Sequence, residues 1–498
     1  MKVLALTALL LMPLATLQAA EPIAVAPPQS PKAYAIPSQA VRVTSSTDLI
    51  TELGKATAQD IVLADGIYTN SKVVLFAAPH RLWSEHLGKA MIKFGFSLGR
   101  GSSGGTGAEI HGVSFDVSSP YLTEHASIIT IWGQEHSSNA QIYDCSFRGN
   151  HALQNAILAH STSALIVKRA MIRGLNANGI VVIAAHPDYL TDSPSVPPVI
   201  EDIDVSGIYQ TPRGKSNGTA ESGLWLGVKC TVNRVRVSDT GWMGIWTGAN
   251  CNDAVLSDIT IDNIWTQNPV TGDVGGGVGI YVEHFTRRCV IQRFHIGPAR
   301  AFPWEPGHYL STGINLEWAD PGYTNPVQGE SLAGSHFNTF KDGVVNTSFE
   351  GLSSEDSERT TVSNVTFRNQ SAVAIKEFRT SGKDHDMVWQ NQGNGFSGIL
   401  PGAVDYARSH RSRGLVLQPR DQTVTTGSQA IFKAHGTGGY TPVNYQWQKN
   451  GVNIPGATQN TFSFTATESD NGSAYRVILL NKSGSTTSKE ALLTVKQP

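Results

Sequence analysis

Cysteine is scarce in this chain. Four residues, Cys145, Cys230, Cys251 and Cys289, stand among 498. Four in so long a polypeptide cannot form a disulfide framework. Charge is sparse too, at 16 % of residues with a net charge of -2. No basic stripe stands out against that balance, which excludes a nucleic-acid partner. Beyond the first twenty residues there is no long apolar run, so membrane insertion is excluded as well. Helical periodicity is largely missing, which disfavours leucine-rich and helical repeats. No His/Cys cluster has zinc-ligand spacing, so no metal is predicted. No cofactor is predicted either, with calcium left open. The Gly-rich run Ser102 to Gly107 has no strand-to-helix context and reads as a loop, not a phosphate cradle.

Glycine, by contrast, is plentiful, with 49 residues. That suits a chain with many turns. Residues 1–20 read as an export signal: Lys2, an apolar run from Val3 to Leu14, then small residues near Ala19 and Ala20. The run is shorter than the ~20 residues needed to span a bilayer. A secreted or periplasmic protein is the expectation. Residues 21–40, with Pro22, Pro27, Pro28, Pro31 and Pro37, read as an extended linker.

A repeat then sets the architecture. The pattern apolar, two residues, apolar, one residue, apolar recurs from Ile110/Val113/Phe115 to Val362/Val365/Phe367. Good copies are Val167/Ala170/Ile172, Ile200/Ile203/Val205, Val232/Val235/Val237, Leu256/Ile259/Ile261 and Ile291/Phe294/Ile296. Copies start roughly 22 to 49 residues apart. The shortest steps suggest one bare coil, the longer ones inserted loops. A second segment follows most copies: Gly179 to Ile183, Gly223 to Gly227, Gly244 to Gly248, Gly279 to Glu283 and Gly313 to Glu317. Its second and fourth residues are mostly apolar and should point inward. One such coil cannot bury its own apolar face, whereas stacked coils can. Residues 41–413 are therefore expected to form a right-handed parallel β-helix, an all-β solenoid. The stretch Asp48 to Ala56 is expected to be a short amphipathic helix ahead of the strand Asp60 to Tyr68. In this helix-then-strand opening the chain resembles pectin-lyase-like β-helices, in which a helix caps the open end of the solenoid. That resemblance implies the fold and a carbohydrate context. The catalytic motifs of polygalacturonases and pectate lyases are not found, so it lends no catalytic residue.

The pattern changes near Leu415. Tyr445-Gln446-Trp447 and Asp470-Asn471-Gly472-Ser473-Ala474-Tyr475 resemble bacterial immunoglobulin-like modules. The resemblance implies a β-sandwich over residues 415–498, with Trp447 buried on its third strand and Tyr475 at its corner. Val477 stands where antibody domains carry a cysteine. Contact with a glycan or cell surface is the role such modules suggest.

Strand phase predicts what faces outward on the second segment. Third positions give the column Val181, Trp225, Trp246, Tyr281 and Asn315; fifth positions give Ile183, Gly227, Gly248, Glu283 and Glu317. At ~4.8 Å between strands, Trp225, Trp246 and Tyr281 should form a ladder of exposed rings, with glycines as open floor. Glu283 and Glu317 should be neighbours, as glycosidic cleavage by two carboxylates requires. Asp320 is a third carboxyl, and His284 and Trp318 are potential contacts. A solvated or salt-bridged pair with Arg287, Arg288 or Lys376 is the bland reading of the same glutamates. Three functions stay open: a glycoside hydrolase acting on an extracellular polysaccharide, a uronate-specific polysaccharide lyase, and a non-catalytic carbohydrate-binding or adhesion protein. A lyase needs a cation, for which Lys229, Arg234, Arg236 and Lys376 are available. Cys230 and Cys251 occupy equivalent places on neighbouring coils. They should lie side by side as buried thiols, and whether they are bonded is left open.

Overall fold

The computed structural model describes residues 24–98, 107–117, 127–132, 139–151, 155–160, 164–183, 196–209, 221–248, 251–264, 277–283, 286–298, 312–316, 335–347, 350–355, 357, 360–370, 373–379, 390–392, 394–397, 404–410, 415–417, 419–436, 444–481 and 484–497. The protein is all-β: a right-handed parallel β-helix followed by an immunoglobulin-like β-sandwich. Among the described residues, no helix is long and apolar enough to cross a membrane.

The central coils of the solenoid carry one copy of each motif. The first motif lies on long strands such as Ile166–Leu175, Val199–Ile208, Thr231–Thr240 and Val255–Ile264. These pair in parallel so that Val167, Ile200, Val232 and Leu256 form one column. All four are fully buried. The second motif forms a separate twelve-stranded parallel sheet. It includes Asn178–Ile183, Ser222–Gly227, Met243–Thr247, Val278–Val282 and Thr312–Leu316. Its leading glycines are a packing requirement. A Cβ at Gly223 would lie 2.4 Å from Val237 Cγ1 and 2.8 Å from the Gly244 carbonyl. The opposing sheet presses against the backbone there, and only glycine fits.

The helix spans Ser46–Leu53, starting earlier and ending sooner than its sequence suggests. Ser45 caps its first turn by accepting from Asp48 N–H, and Gly54 follows its last turn. Leu49 and Leu53 are fully buried and join the main core of the solenoid.

The first-motif strands share a left-handed residue at one motif position. Asp144, Arg169, Asp202, Arg234, Asp258, Arg293, Asp342 and Asn364 each stand just before the second apolar position of the motif. Their φ angles are all positive, between 49° and 59°. Left-handed backbone costs a non-glycine residue roughly 1–2 kcal/mol. Here the residues pair along the row. Arg169 donates to both oxygens of Asp144 (2.6 and 2.9 Å), Arg234 to Asp202 (2.6 and 2.9 Å), and Arg293 to Asp258 (3.0 and 2.7 Å). Bidentate pairs of this kind are among the strong hydrogen bonds.

The Pro-rich residues expected to form a linker are extended, but they are not free. Ala26, Gln29 and Lys32 donate their backbone N–H groups to Asp258, Asp202 and Asp144. On the solenoid the segment's N–H groups add a further bond to carboxylates that the arginines already hold. Composition reports extension, not docking.

Cys230, Cys251 and Cys289 are free, buried thiols. The neighbouring Cys230 and Cys289 thiols, together with burial, hold the pKa of Cys251 well above the ordinary thiol value, and Cys289 Sγ donates to the Cys251 carbonyl at 2.6 Å. In the sandwich, Trp447 and Tyr475 are buried. Trp447 stands directly across from Val477. Tyr475 stacks on Phe432 with ring centroids 4.6 Å apart, and Trp447 donates its indole N–H to the Gln459 carbonyl at 2.9 Å. The ring packing takes the place of an inter-sheet disulfide.

The row of charges has a consequence for acid stability. Burial works to raise the pKa of Glu201, but hydrogen bonds from Lys168, Asn233 and Arg234 outweigh it and bring the value to about 2, against 4.5 ordinarily. A carboxylate with a depressed folded-state pKa adds stability that is complete above its unfolded value and is lost as pH falls through the folded one. The melting temperature should therefore fall between pH 4.5 and about 2. A Glu201→Gln chain should show a shallower fall in calorimetry over that window; an unchanged slope would contradict this assignment.

Candidate active site

The outward column forms in the register that the strand phase implies. Val181 pairs with Trp225, Trp225 with Trp246, Trp246 with Tyr281, and Tyr281 with Asn315. Val181 is nevertheless buried, with 1 % exposure. Trp225, Trp246, Tyr281 and Asn315 are half-buried. Inward positions are filled by Leu224, Leu226, Ile245, Ile280 and Val282, all fully buried. Thr247, the polar exception, is buried and donates to the Tyr281 carbonyl at 3.2 Å.

The ladder is not the row of exposed rings that outward phase suggests. Trp225 and Trp246 stack face to face, with centroids 4.3 Å apart and planes 2° from parallel. Rings in register on strands ~4.8 Å apart cover one another's faces, so the stack turns its edges outward. Tyr281 breaks the stack: its ring is 69° from the Trp246 plane, at 6.2 Å. The third ring of the column therefore meets the second edge to face, and its plane runs across the ladder.

The indole edges point toward a carboxylate. Trp246 Nε1 donates to Glu283 Oε2 at 3.0 Å. Indole nitrogen can only donate, so it meets Glu283 as an acceptor. Glycine makes room for this contact. A Cβ at Gly248 would sit 2.9 Å from Trp225 Nε1 and 3.4 Å from Glu283 Oε2. Gly227 Cα lies 3.5 Å from the same point. The two glycines are thus the floor beneath Glu283 and the two indole N–H groups. Backbone bonds fix the strand end: Glu283 N–H donates to the Thr247 carbonyl at 3.0 Å, and Thr286 N–H to the Glu283 carbonyl at 3.2 Å. Glu283 itself is half-buried. Glu317, Asp320, His284 and Trp318, the remaining residues expected at the site, lie outside the described residues.

Three cations considered for a lyase are engaged with acids of the scaffold. Arg234 holds Asp202 and Glu201, Arg236 meets Asp262 at 3.2 Å, and Lys376 meets Glu350 at 2.5 Å. A second outward pair is not legible in the repeat. Trp132 stacks on His160 at 4.6 Å and 5°, in the column that leads to Ile183 and Gly227. Burial lowers the His160 pKa. The strands Ser127–Trp132 and Asn155–His160 lack the leading glycine, so the second motif does not include them. Among the described residues, Asp65, Glu85 and His86 form one group of clustered metal-ligand types. Its members are already engaged, Glu85 by Arg42 and His86 by Asp65.

The immunoglobulin-domain family matches residues 414–495. No curated protein matches the chain. Among solved structures, the tandem Ig repeats of Dlar are 14 % identical over 19 % of this chain and 54 % of theirs, with a TM-score of 0.17. The titin domains z1z2 in complex with telethonin are 28 % identical over 17 % of this chain and 48 % of theirs, with a TM-score of 0.15. The chain spans about half the length of these two immunoglobulin structures. The catalytic domain of a GH87 alpha-1,3-glucanase in complex with nigerose is 14 % identical over 77 % of this chain and 70 % of that one, with a TM-score of 0.43.

Two glycine substitutions separate site from scaffold. Gly223→Ala drives its Cβ into backbone and Val237, and should cost about 3 kcal/mol, as overpacking of a tight core does. Gly248→Ala presses mainly on the edge of a half-buried side chain. It should leave the melting temperature nearly unchanged while altering the near-ultraviolet circular dichroism of the stacked indoles. Equal melting temperatures for the two variants would contradict this distinction.

Proposed function

We propose that the solenoid is an extracytoplasmic enzyme of the pectin-lyase-like class that cleaves glycosidic bonds of a polysaccharide by hydrolysis. The observation that carries this reading is the 3.0 Å hydrogen bond from Trp246 to the Glu283 carboxylate above a glycine floor. It fixes an acceptor just past the end of the strand Val278–Val282, beside the floor left by Gly227 and Gly248. Glycosidic cleavage needs such a carboxylate and a proton donor opposite it. Glu317 is the proposed partner. It follows Leu316, whose strand pairs Leu316 with Val282, and Asp320 is a further carboxyl in the same stretch. A spacing of one strand, ~4.8 Å, is near the ~5–5.5 Å of retaining enzymes. Glu283, with one oxygen held by an N–H donor, is then the nucleophile, and Glu317 the acid.

Substrate contact is assigned to Tyr281 through its ring, to Asn315, and to the edges of Trp225 and Trp246, with His284 and Trp318 in the adjoining segments. Hydrolysis is preferred to β-elimination because three of the four candidate cations, Arg234, Arg236 and Lys376, are bound to acids. The export signal at residues 1–20 supports an extracytoplasmic location, and the immunoglobulin-like domain suits contact with a glycan or cell surface.

A product assay on a panel of polysaccharides tests the reading. Hydrolysis raises reducing ends without ultraviolet absorbance; absorbing products would identify a lyase, and no products a binding protein. Glu283→Gln should lower kcat by orders of magnitude, because the amide cannot act as the nucleophile that forms the glycosyl-enzyme, with folding intact. Trp246→Phe keeps a ring in the stack and deletes the donor. It should lower kcat about tenfold, the effect of losing one hydrogen bond to a charged group. Full turnover in Glu283→Gln would sink the proposal.

A further inference from the structure

Three backbone N–H groups of the N-terminal segment reach the row of left-handed residues at regular intervals. Lys32 donates to Asp144 at 2.7 Å, Gln29 to Asp202 at 2.9 Å, and Ala26 to Asp258 at 3.2 Å. The donors are three residues apart in sequence. Their acceptors lie two strands apart, because Arg169 and Arg234 occupy the intervening strands. A polyproline II helix advances about 9.3 Å in three residues. Two strand spacings come to about 9.6 Å. The two repeats coincide, so an extended left-handed segment can keep step with the solenoid over its whole length.

Burial of the segment has the same period. Val25, Pro28, Pro31 and Tyr34 are half-buried, while Ala26, Pro27, Gln29, Ser30, Lys32 and Ala33 are exposed. The prolines stand at 27, 28 and 31, never at a donating position. Tyr34 closes the register. It donates to the Ser84 carbonyl at 2.7 Å and fills the space over Gly112, which takes the left-handed place on its own coil with φ 65°. The acceptors are prepared for this ligand. Asp144, Asp202 and Asp258 are 4 %, 3 % and 7 % exposed, and the oxygen that accepts the segment is also held by an arginine in each case.

We propose that this row is a binding groove for a left-handed extended polypeptide that offers an N–H group at every third residue. Residues 24–34 fill it from within the chain, and the groove takes the same segment when it is supplied as a separate peptide. The occupant is read by phase more than by side chain, since the donors are main-chain groups and the side chains of Ala26, Gln29 and Lys32 point to solvent. Proline belongs at the remaining positions because it presets the extended conformation.

Two full-length variants test the phase. The chain with Ala26→Pro, Gln29→Pro and Lys32→Pro keeps the extended conformation and loses all three donors. The chain with Ala24→Pro, Ser30→Pro and Ala33→Pro adds the same number of prolines out of phase. The donor variant should melt on the order of 5 °C lower than wild type, the shift expected from losing hydrogen bonds to buried charges. The out-of-phase variant should melt as wild type does. A fluorescent peptide of residues 24–35 should bind the donor variant at least tenfold more tightly, by anisotropy, than it binds wild type or the out-of-phase variant, whose grooves are filled. The same peptide with proline at 26, 29 and 32 should not bind. Equal melting temperatures for the two variants, or equal affinity of the three chains for the peptide, would overturn the proposal.

Discussion

Parallel pairing in unbroken register is the constraint on which the rest of this molecule depends. Each residue stands ~4.8 Å from its equivalents on the coils before and after. Whatever occupies a position must therefore tolerate a copy of its own kind as a neighbour. Apolar residues meet that condition without cost, and the columns through Val167, Ile200 and Val232 are fully buried. Aromatic residues meet it by stacking, as Phe115 and Phe147 do at 5.0 Å and 1°. Thiols and amides meet it through hydrogen bonds: Asn178 donates to Asn155, which donates to Ser127. Like charges meet it only at a cost in stability. The charged row is consequently an alternation, aspartate then arginine, so that each coil supplies the counter-ion of the last. The same alternation places acceptors at every second coil, which is the spacing that the N-terminal segment uses.

That constraint also explains which parts of the structure are legible in the sequence. Strand phase is readable because a one-residue slip would bring Asn315 or Glu283 into the core and expose Ile314 or Val282. The leading glycines are readable as a repeated signature, and their packing against Val237 and its equivalents supplies the reason. Phase carries no information about ring orientation, however. Trp225 and Trp246 do face outward, yet they are turned by each other, because two indoles in register have a better partner in one another than in solvent. A row of exposed ring faces therefore does not follow from alternation alone.

Other features are written in the sequence less plainly. The residue before the second apolar position of the first motif runs Asp144, Arg169, Asp202, Arg234, Asp258, Arg293, Asp342. Strict alternation of sign through seven coils marks a paired row, and Asp and Asn at that place suit left-handed backbone. In the N-terminal segment, proline is missing at 26, 29 and 32 from an otherwise Pro-rich stretch. Composition is a sum over positions and loses that kind of phase. The carboxylate pair is hard for a different reason. Glu317 stands just past the strand Thr312–Leu316, at the start of a long stretch that no copy of the repeat covers.

The rigidity of the scaffold bears on what the Glu283 edge can do. Glu283 directly follows the strand Val278–Val282, and its N–H bonds to the Thr247 carbonyl on the previous coil. Its side chain is positioned by Trp246, which also stands on that previous coil. Trp246 in turn is held by Trp225, one coil further back. Three successive coils thus converge on one carboxylate through contacts that the register itself dictates. A group fixed in this way loses little entropy when a substrate reaches it, which is the condition for efficient catalysis by positioning. Gly227 and Gly248 complete the arrangement by omission. A large side chain there would stack upon its neighbours as the other columns do, and would close the floor that the two glycines leave open beneath Glu283.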